Sequence, residues 1–243
     1  MIFLNKSIIV TGGTRGIGAE IVAMFAAEGA NVVCTGRRQA ELTELQKKAP
    51  FNVSYVQLDL HDEESICTFV EYMNELSSLD VLVNNAGINK IDMIENISFP
   101  DFRSVMEVNV NGPFYLSKIA SKLMMDKGGH ILNIASIWST VTKAGRVSYS
   151  TSKTALVGLT RSLAVDLASY GILVNAVSPG FTATDLTSQS LTAEDIADLE
   201  SKIPCKRMAE PKEIAELVLF LCSNKNTYIT GQNFVIDGGF SIV

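Results

Sequence analysis

Two rhythms of apolar residues run through this chain. Short apolar runs occur at Ser7–Val10, Asn31–Thr35, Asn52–Leu58, Asp80–Val83, Gly129–Ala135, Ile172–Val177 and Asn233–Ile236. Such runs, bounded by turn residues, predict strands buried on both faces. Between them lie amphipathic stretches that predict helices over Ala19–Glu28, Ser98–Met125, Tyr149–Ser169 and Pro211–Cys222, with Pro113 expected to bend the second. Strands alternating with helices imply an α/β fold, a doubly wound parallel sheet covered on both faces in three αβα layers. After Thr184 the chain turns polar and only moderately helical as far as Lys202, and residues 185–208 are expected to form a lid over substrate.

The sequence has 243 residues and no Pro-rich, Ser-rich or charge-run linker, so a single domain over 1–243 is expected. Apolar residues make up 47% and charged residues 19%, which excludes disorder and leaves apolar surface for subunit contacts. A net charge of −6 without a basic stripe argues against nucleic acid as a partner. Neither a signal segment nor a run long enough to span a bilayer is visible, so a cytoplasmic protein with no membrane partner is expected. Cys34, Cys67, Cys205 and Cys222 are scattered, and His61 and His130 are the only histidines, so no metal site is expected.

The chemistry clusters in a few places. Thr11-Gly-Gly-Thr-Arg-Gly-Ile-Gly18 joins the first strand to the first helix. Gly12, Gly16 and Gly18 let the backbone approach a pyrophosphate, and the helix N-terminus presents unpaired N–H groups to it. Gly36 stands about 20 residues further on, where an acid would bind the ribose 2′-hydroxyl of NAD. Arg37 and Arg38 follow it, and Arg15 lies within the turn, so guanidinium groups are placed to grip a 2′-phosphate. NADP(H) is therefore expected in preference to NAD(H). Asp59 is placed either to accept from an adenine amino group or to cap the following helix.

Tyr149 and Lys153 are one helical turn apart, so a helix projects phenol and ammonium from one face. A neighbouring cation favours the phenolate and brings Tyr149 into range as a general acid or base. Ser136 follows an apolar run, at the carboxyl end of a strand, where its hydroxyl can hydrogen-bond a carbonyl oxygen as charge develops. Trp138, the one tryptophan, lies two residues on and offers an aromatic face to a substrate.

Thr11-Gly12-x-x-x-Gly16-Ile17-Gly18, Asn84-Asn85-Ala86-Gly87, Asn109, Ser136, Tyr149-x-x-x-Lys153 and Pro179-Gly180 together resemble the short-chain dehydrogenases/reductases along the whole chain. The resemblance implies a seven-stranded Rossmann-type sheet and a homotetramer or homodimer. It makes Tyr149 the proton donor to a carbonyl polarised by Ser136. By the same resemblance, Lys153 lowers the Tyr149 pKa and holds the nicotinamide ribose, and Asn109 anchors a water linked to Lys153. It further implies a cofactor surface of Gly12, Thr14, Arg15, Gly16, Ile17, Gly18, Arg37, Arg38, Asp59, Leu60, Asn85, Ala86, Gly87, Tyr149, Lys153, Pro179, Gly180, Thr182 and Thr184. Thr182 stands where the family commonly has Ile or Val.

Within that family the chain looks most like the 3-oxoacyl-[acyl carrier protein] reductases, through Val174-Asn-Ala-Val-Ser-Pro-Gly180, Thr184-Asp185 and Tyr228-Ile-Thr-Gly-Gln232. The implied activity is NADPH-dependent hydride transfer to the carbonyl of a 3-oxoacyl thioester, with Ser136, Trp138 and Tyr149 facing the substrate. Against a carrier-protein partner, Asp126-Lys127-Gly128 and Ser169-Tyr170-Gly171 supply a single cation. The competing readings are a dehydrogenase of a sugar, polyol or other small secondary alcohol, and a noncatalytic dinucleotide-binding module.

Overall fold

A computed structural model describes residues 1–184 and 192–243. Its strands are β1 (Ser7–Val10), β2 (Asn31–Gly36), β3 (Val53–Gln57), β4 (Val81–Asn84), β5 (Gly129–Ile134), β6 (Ile172–Pro179) and β7 (Asn233–Ile236). They form one sheet in the order β3-β2-β1-β4-β5-β6-β7, and every neighbouring pair is parallel. The chain winds outward from β1 to β3 and then crosses back to β4. The order therefore reverses between β1 and β4, and a crevice opens at their carboxyl ends, where sheets of this kind bind ligands.

The helices are α1 (Gly16–Ala27), α2 (Gln39–Gln46), α3 (Glu63–Asn74), α4 (Phe99–Met106), α5 (Gly112–Met124), α6 (Val147–Leu167), α7 (Ala193–Lys202) and α8 (Pro211–Leu221). Alternation along the strands divides the core in two. Ile8 and Val10 of β1 pack with Phe25 of α1 and Ile214 and Val218 of α8 on one face. Ile9 turns the other way, towards Phe69 and Met73 of α3 and Leu116 and Met124 of α5. Burying a side chain of this size contributes about 1.5–3 kcal/mol. With both faces covered, the two layers of helix hold the sheet's carboxyl edge fixed.

The stretch expected as one long helix bent at Pro113 is instead interrupted before it. Residues Glu107–Asn111 form a π turn between α4 and α5, in which the Gly112 N–H reaches back to the Glu107 carbonyl. Pro113 has no N–H to give, so the α-helical bond to the Asn109 carbonyl cannot form there. Asn109 is fully buried at the centre of this turn. The sixth helix begins at Val147, two residues ahead of Tyr149, which puts both Tyr149 and Lys153 within its regular part.

Of the segment expected as a lid, 185–191 lies outside the described residues. Thr192 and Asp195 form a capping box at the start of α7. Beyond α7 the chain is tied down: Ile203 is buried, Cys205 N–H donates to the Gly238 carbonyl, and Arg207 pairs with both oxygens of Glu213. No helix among the described residues is long and apolar enough to cross a membrane, and among them no group of His, Cys, Asp or Glu could hold a metal ion.

His130 opens β5 with a buried Nδ1 that has no hydrogen-bond partner. Burial, assisted by the Lys6 charge, holds its pKa down at about 4. As pH falls through 6.5 the unfolded chain takes up a proton that the fold refuses until about pH 4, so stability falls across that window. The expected loss is on the order of 3 kcal/mol. Urea unfolding at pH 7 and pH 4 should show this extra loss in the wild-type chain and not in His130→Gln.

Candidate active site

The crevice at the carboxyl edge is a cleft of about 660 Å³. Its floor begins at the glycine turn. Gly12 and Gly16 have φ of +64° and +55°, in the left-handed region that favours glycine. A Cβ at Gly12 would stand 2.9 Å from the Cα of Ala86. At Gly16 it would stand 3.3 Å from Thr184 Cγ2, which approaches from across the cleft. No side chain caps the start of α1. The turn thus exposes helix N–H groups and bare backbone to the cleft, which suits an anion of pyrophosphate size.

Thr11 and Asn85 lock this floor together. The Thr11 hydroxyl accepts from the Asn85 and Ala86 N–H groups, each at 3.0 Å. The Asn85 amide donates to the Thr11 and Gly12 carbonyls at 2.9 Å. Asn85 therefore shapes the turn from beneath while lining the cleft. Deeper in the core, the Asn84 amide donates to Asn133 at 2.8 Å and to Ser117 at 3.2 Å, and Asn133 donates to Thr160 at 2.8 Å.

At the far end, Ser136 follows β5 and its carbonyl accepts from the Ser139 hydroxyl at 2.7 Å. Ser139 in turn meets Ser178 at 3.2 Å, and Ser178 donates to Asn233 at 2.7 Å. This chain of hydroxyls fixes the Ser136 backbone. The Ser136 hydroxyl accepts from the Trp138 N–H at 3.3 Å and faces the cleft with Tyr149, whose pKa it lowers. Lys153 lies on the same side of α6 as Tyr149, its Nζ 5.7 Å from the centre of the phenol ring. That Nζ donates to the Ile134 carbonyl at 2.8 Å. Asn109 braces the loop after β4, its Oδ1 accepting from the Ile88 N–H and its amide donating to the Ile88 carbonyl and to Ser152. Gly87 separates Asn109 from Lys153, since a Cβ there would lie 3.3 Å from both Oδ1 and Nζ.

A model of the enoyl-(acyl carrier protein) reductase family matches residues 12–241. The chain is 39% identical to the 3-oxoacyl-[acyl-carrier-protein] reductase FabG of Aquifex aeolicus, over 97% of each protein. It is 35% identical to the FabG of Escherichia coli over the full length of both. A solved structure of a short chain dehydrogenase/reductase family protein superimposes with a TM-score of 0.91 at 35% identity, with both chains fully covered. The chain belongs to the short-chain dehydrogenase/reductase family. It is an oxidoreductase of that family, and nicotinamide dinucleotides are the cofactors for which such a Rossmann-type sheet is built.

Against the family pattern, most of the residues anticipated from sequence lie together in one cleft. Gly12, Thr14, Arg15, Gly16, Ile17, Gly18, Arg37, Asp59, Leu60, Asn85, Ala86, Gly87, Ser136, Trp138, Tyr149, Lys153, Pro179, Gly180, Thr182 and Thr184 all line it. Arg38 does not. Its guanidinium turns onto Glu41 of α2, at 2.8 and 3.0 Å, outside the cleft. Asn109 is also outside the lining, and its side chain is engaged by Ile88 and Ser152. Asp59 does not cap α3, a role taken by Asp62; its Oδ1 accepts from the His61 N–H.

The electrostatics of Tyr149 differ from the sequence expectation. In the protein alone, burial dominates and raises its pKa above the ordinary phenol value. The opposing influences are the Ser136 hydrogen bond and the charge of Arg146, with no contribution from Lys153. The reason lies in Lys153 itself, which is desolvated to a pKa of about 8 and aims its ammonium at the Ile134 carbonyl. Sequence reasoning assigned no role of their own to Thr11, Ser139, Ser178 or Arg146. Thr11 begins the glycine motif and was within reach of such reasoning; the others act through contacts between distant strands and loops.

Proposed function

We propose that the chain is an NADP(H)-dependent reductase of 3-oxoacyl thioesters. The observation that carries this reading is the gathering of Ser136, Tyr149 and Lys153, with Lys153 Nζ 5.7 Å from the centre of the phenol ring, at the opposite end of one cleft from a glycine turn bare enough for a pyrophosphate. The bound dinucleotide supplies the hydride. Tyr149 gives its proton to the carbonyl oxygen, and Ser136 donates a hydrogen bond to the same oxygen as charge gathers on it. Lys153 holds the nicotinamide-side ribose, and Asn109 keeps the Gly87–Ile88 loop in place beneath it. The relatives named as 3-oxoacyl-[acyl-carrier-protein] reductases favour a 3-oxoacyl substrate over sugars and polyols.

Preference for NADP(H) rests on Arg15 and Arg37. Both line the cleft and neither has an ion-pair partner among the described residues. The absence of an acid at position 36 has a steric basis as well. A Cβ there would fall 2.7 Å from Thr14 Cγ2 and 2.8 Å from Leu42 Cδ2, so a side chain at this position requires both to shift. Replacing Arg37 with Ala should lower kcat/KM for NADPH by about 10- to 100-fold, the scale of a lost charge-assisted hydrogen bond, and leave that for NADH nearly unchanged. Equal loss with both cofactors would contradict the assignment.

The single domain works in this reading as a soluble cytoplasmic enzyme, with part of 185–208 closing over substrate. The exposed Phe114 and Tyr115 of α5 and Val165 of α6 suit burial in a homotetramer or homodimer. A sedimentation measurement showing a monomer at micromolar concentration would exclude that assembly. The reading as a whole is tested by NADPH oxidation with acetoacetyl-CoA, set against oxidation of sugars and polyols by NADP.

A further inference from the structure

Asp59 lines the cleft just beyond β3, where the Leu58 N–H donates to the Gly36 carbonyl at 2.9 Å. Of the two roles open to it in the sequence, capping α3 belongs to Asp62, which leaves that of an acceptor in the cleft. The turn holds its backbone: the Asp59 N–H donates to the Ser65 hydroxyl at 2.9 Å, and its carbonyl accepts from the Asp62 N–H at 3.2 Å. On the side chain, Oδ1 accepts from the His61 N–H at 3.0 Å, and the imidazole brings Nδ1 to 3.4 Å from the same oxygen. Oδ2 has no hydrogen bond among the described residues.

His61 itself stands outside the cleft lining, and its other ring nitrogen reaches a different element. Nε2 meets the Ser104 hydroxyl of α4 at 2.5 Å. The neutral tautomer with its proton on Nδ1 satisfies both contacts, with Nδ1–H towards Asp59 and Nε2 accepting from Ser104. Leu60 adds an apolar clamp, since a Cβ at Gly112 would stand 2.9 Å from both of its Cδ atoms. The loop after β3 is thereby fastened to α4 and to the start of α5, on either side of the π turn that carries Asn109. Held against Oδ1 by its bond to Ser104, the imidazole keeps the carboxylate in one orientation, with Oδ2 as the open acceptor.

We infer that His61 is a positioning residue: tethered to Ser104, it orients Asp59 so that Oδ2 accepts from the exocyclic amino group of the dinucleotide's adenine. It thereby helps to select adenine over a 6-oxo purine. An amino group donates to a carboxylate, whereas a 6-oxo group presents a second acceptor and is repelled by it. This rests on the reading of the cleft as a dinucleotide site with the adenine at Asp59.

The test titrates the full chain with NADPH and with its hypoxanthine analogue, in which oxygen replaces the 6-amino group, and follows nicotinamide fluorescence on binding. The proteins compared are wild type, His61→Ala, His61→Asn and Ser104→Ala. The readout is the ratio of the two dissociation constants, which a general loosening of the fold leaves unchanged. Wild type should bind NADPH at least about 10-fold more tightly than the analogue, the scale of one charge-assisted hydrogen bond. His61→Ala should cut that ratio by about 3- to 10-fold and Ser104→Ala by less. His61→Asn, whose amide reaches the place of Nδ1, should restore part of it. An unchanged ratio in His61→Ala would overturn the inference. Equal affinities in wild type would overturn it too, by showing that Asp59 does not receive the adenine amino group, and turnover of acetoacetyl-CoA measured alongside would show whether the 3-oxoacyl reading stands. Wild-type protein that binds neither dinucleotide would overturn both.

Discussion

Tyr149→Phe is expected to lower kcat by about 100-fold or more while NADPH binding stays within a few-fold of wild type, the scale of losing a positioned general acid. The ring remains to pack against α6, and only the hydroxyl that meets Ser136 is removed. The direction of the Tyr149 shift matters for pH as well. A phenol whose pKa is raised by burial stays protonated through neutral pH, so it is ready to give its proton in the reducing direction. In the reverse direction the phenolate is needed, and alcohol oxidation should accelerate as pH rises. Single-turnover rates with dinucleotide affinity measured in parallel check this. A variant with full kcat would show that the proton comes from elsewhere.

The second large effect is expected at the glycine turn. A Cβ at Gly18 would overlap the Asn85 amide, lie 2.5 Å from the Gly12 carbonyl oxygen and 3.0 Å from the Gly13 Cα. Two of these three are backbone atoms that cannot swing aside, and the third is the amide that ties Asn85 to the turn. Gly18→Val should therefore weaken NADPH binding by about 100-fold, the cost of moving a positioning surface by roughly an ångström. It should also destabilise the fold by about 3 kcal/mol through overpacking. Gly18→Ala should move both quantities the same way by less. Titration of dinucleotide binding and urea unfolding of both variants make the check, and unchanged binding in Gly18→Val would show that the cofactor does not touch this turn.

Much of this architecture was legible because the strands are short, continuous apolar runs between helices with a clear apolar stripe. Tyr149, Lys153 and Ser136 could be placed because helical spacing and strand ends are local properties of the chain. The π turn at Glu107–Asn111 was not legible, since it arises from Asn109 bonding to Ile88 and Ser152 in concert with the missing N–H of Pro113. Arg38 falls outside the cleft for a similar reason: adjacency to Gly36 says nothing about Glu41, in the first turn of α2, which pairs with its guanidinium. The helix α2 itself carries one buried residue, Leu42, and so too weak an apolar stripe to stand out. The polarity of Tyr149 depends on Arg146 and on burial by distant loops, neither of which a spacing rule can supply.

In the proposed reaction, one cleft brings a reduced nicotinamide dinucleotide to a 3-oxoacyl carbonyl held at Ser136 and Tyr149. Its most direct measurement is the rate of NADPH oxidation by the purified chain with acetoacetyl-CoA, run beside NADH and beside Tyr149→Phe. Saturable turnover is expected, with a higher kcat/KM for NADPH than for NADH and near-complete loss in the variant. Tight NADPH binding with no turnover on any 3-oxoacyl thioester would contradict it.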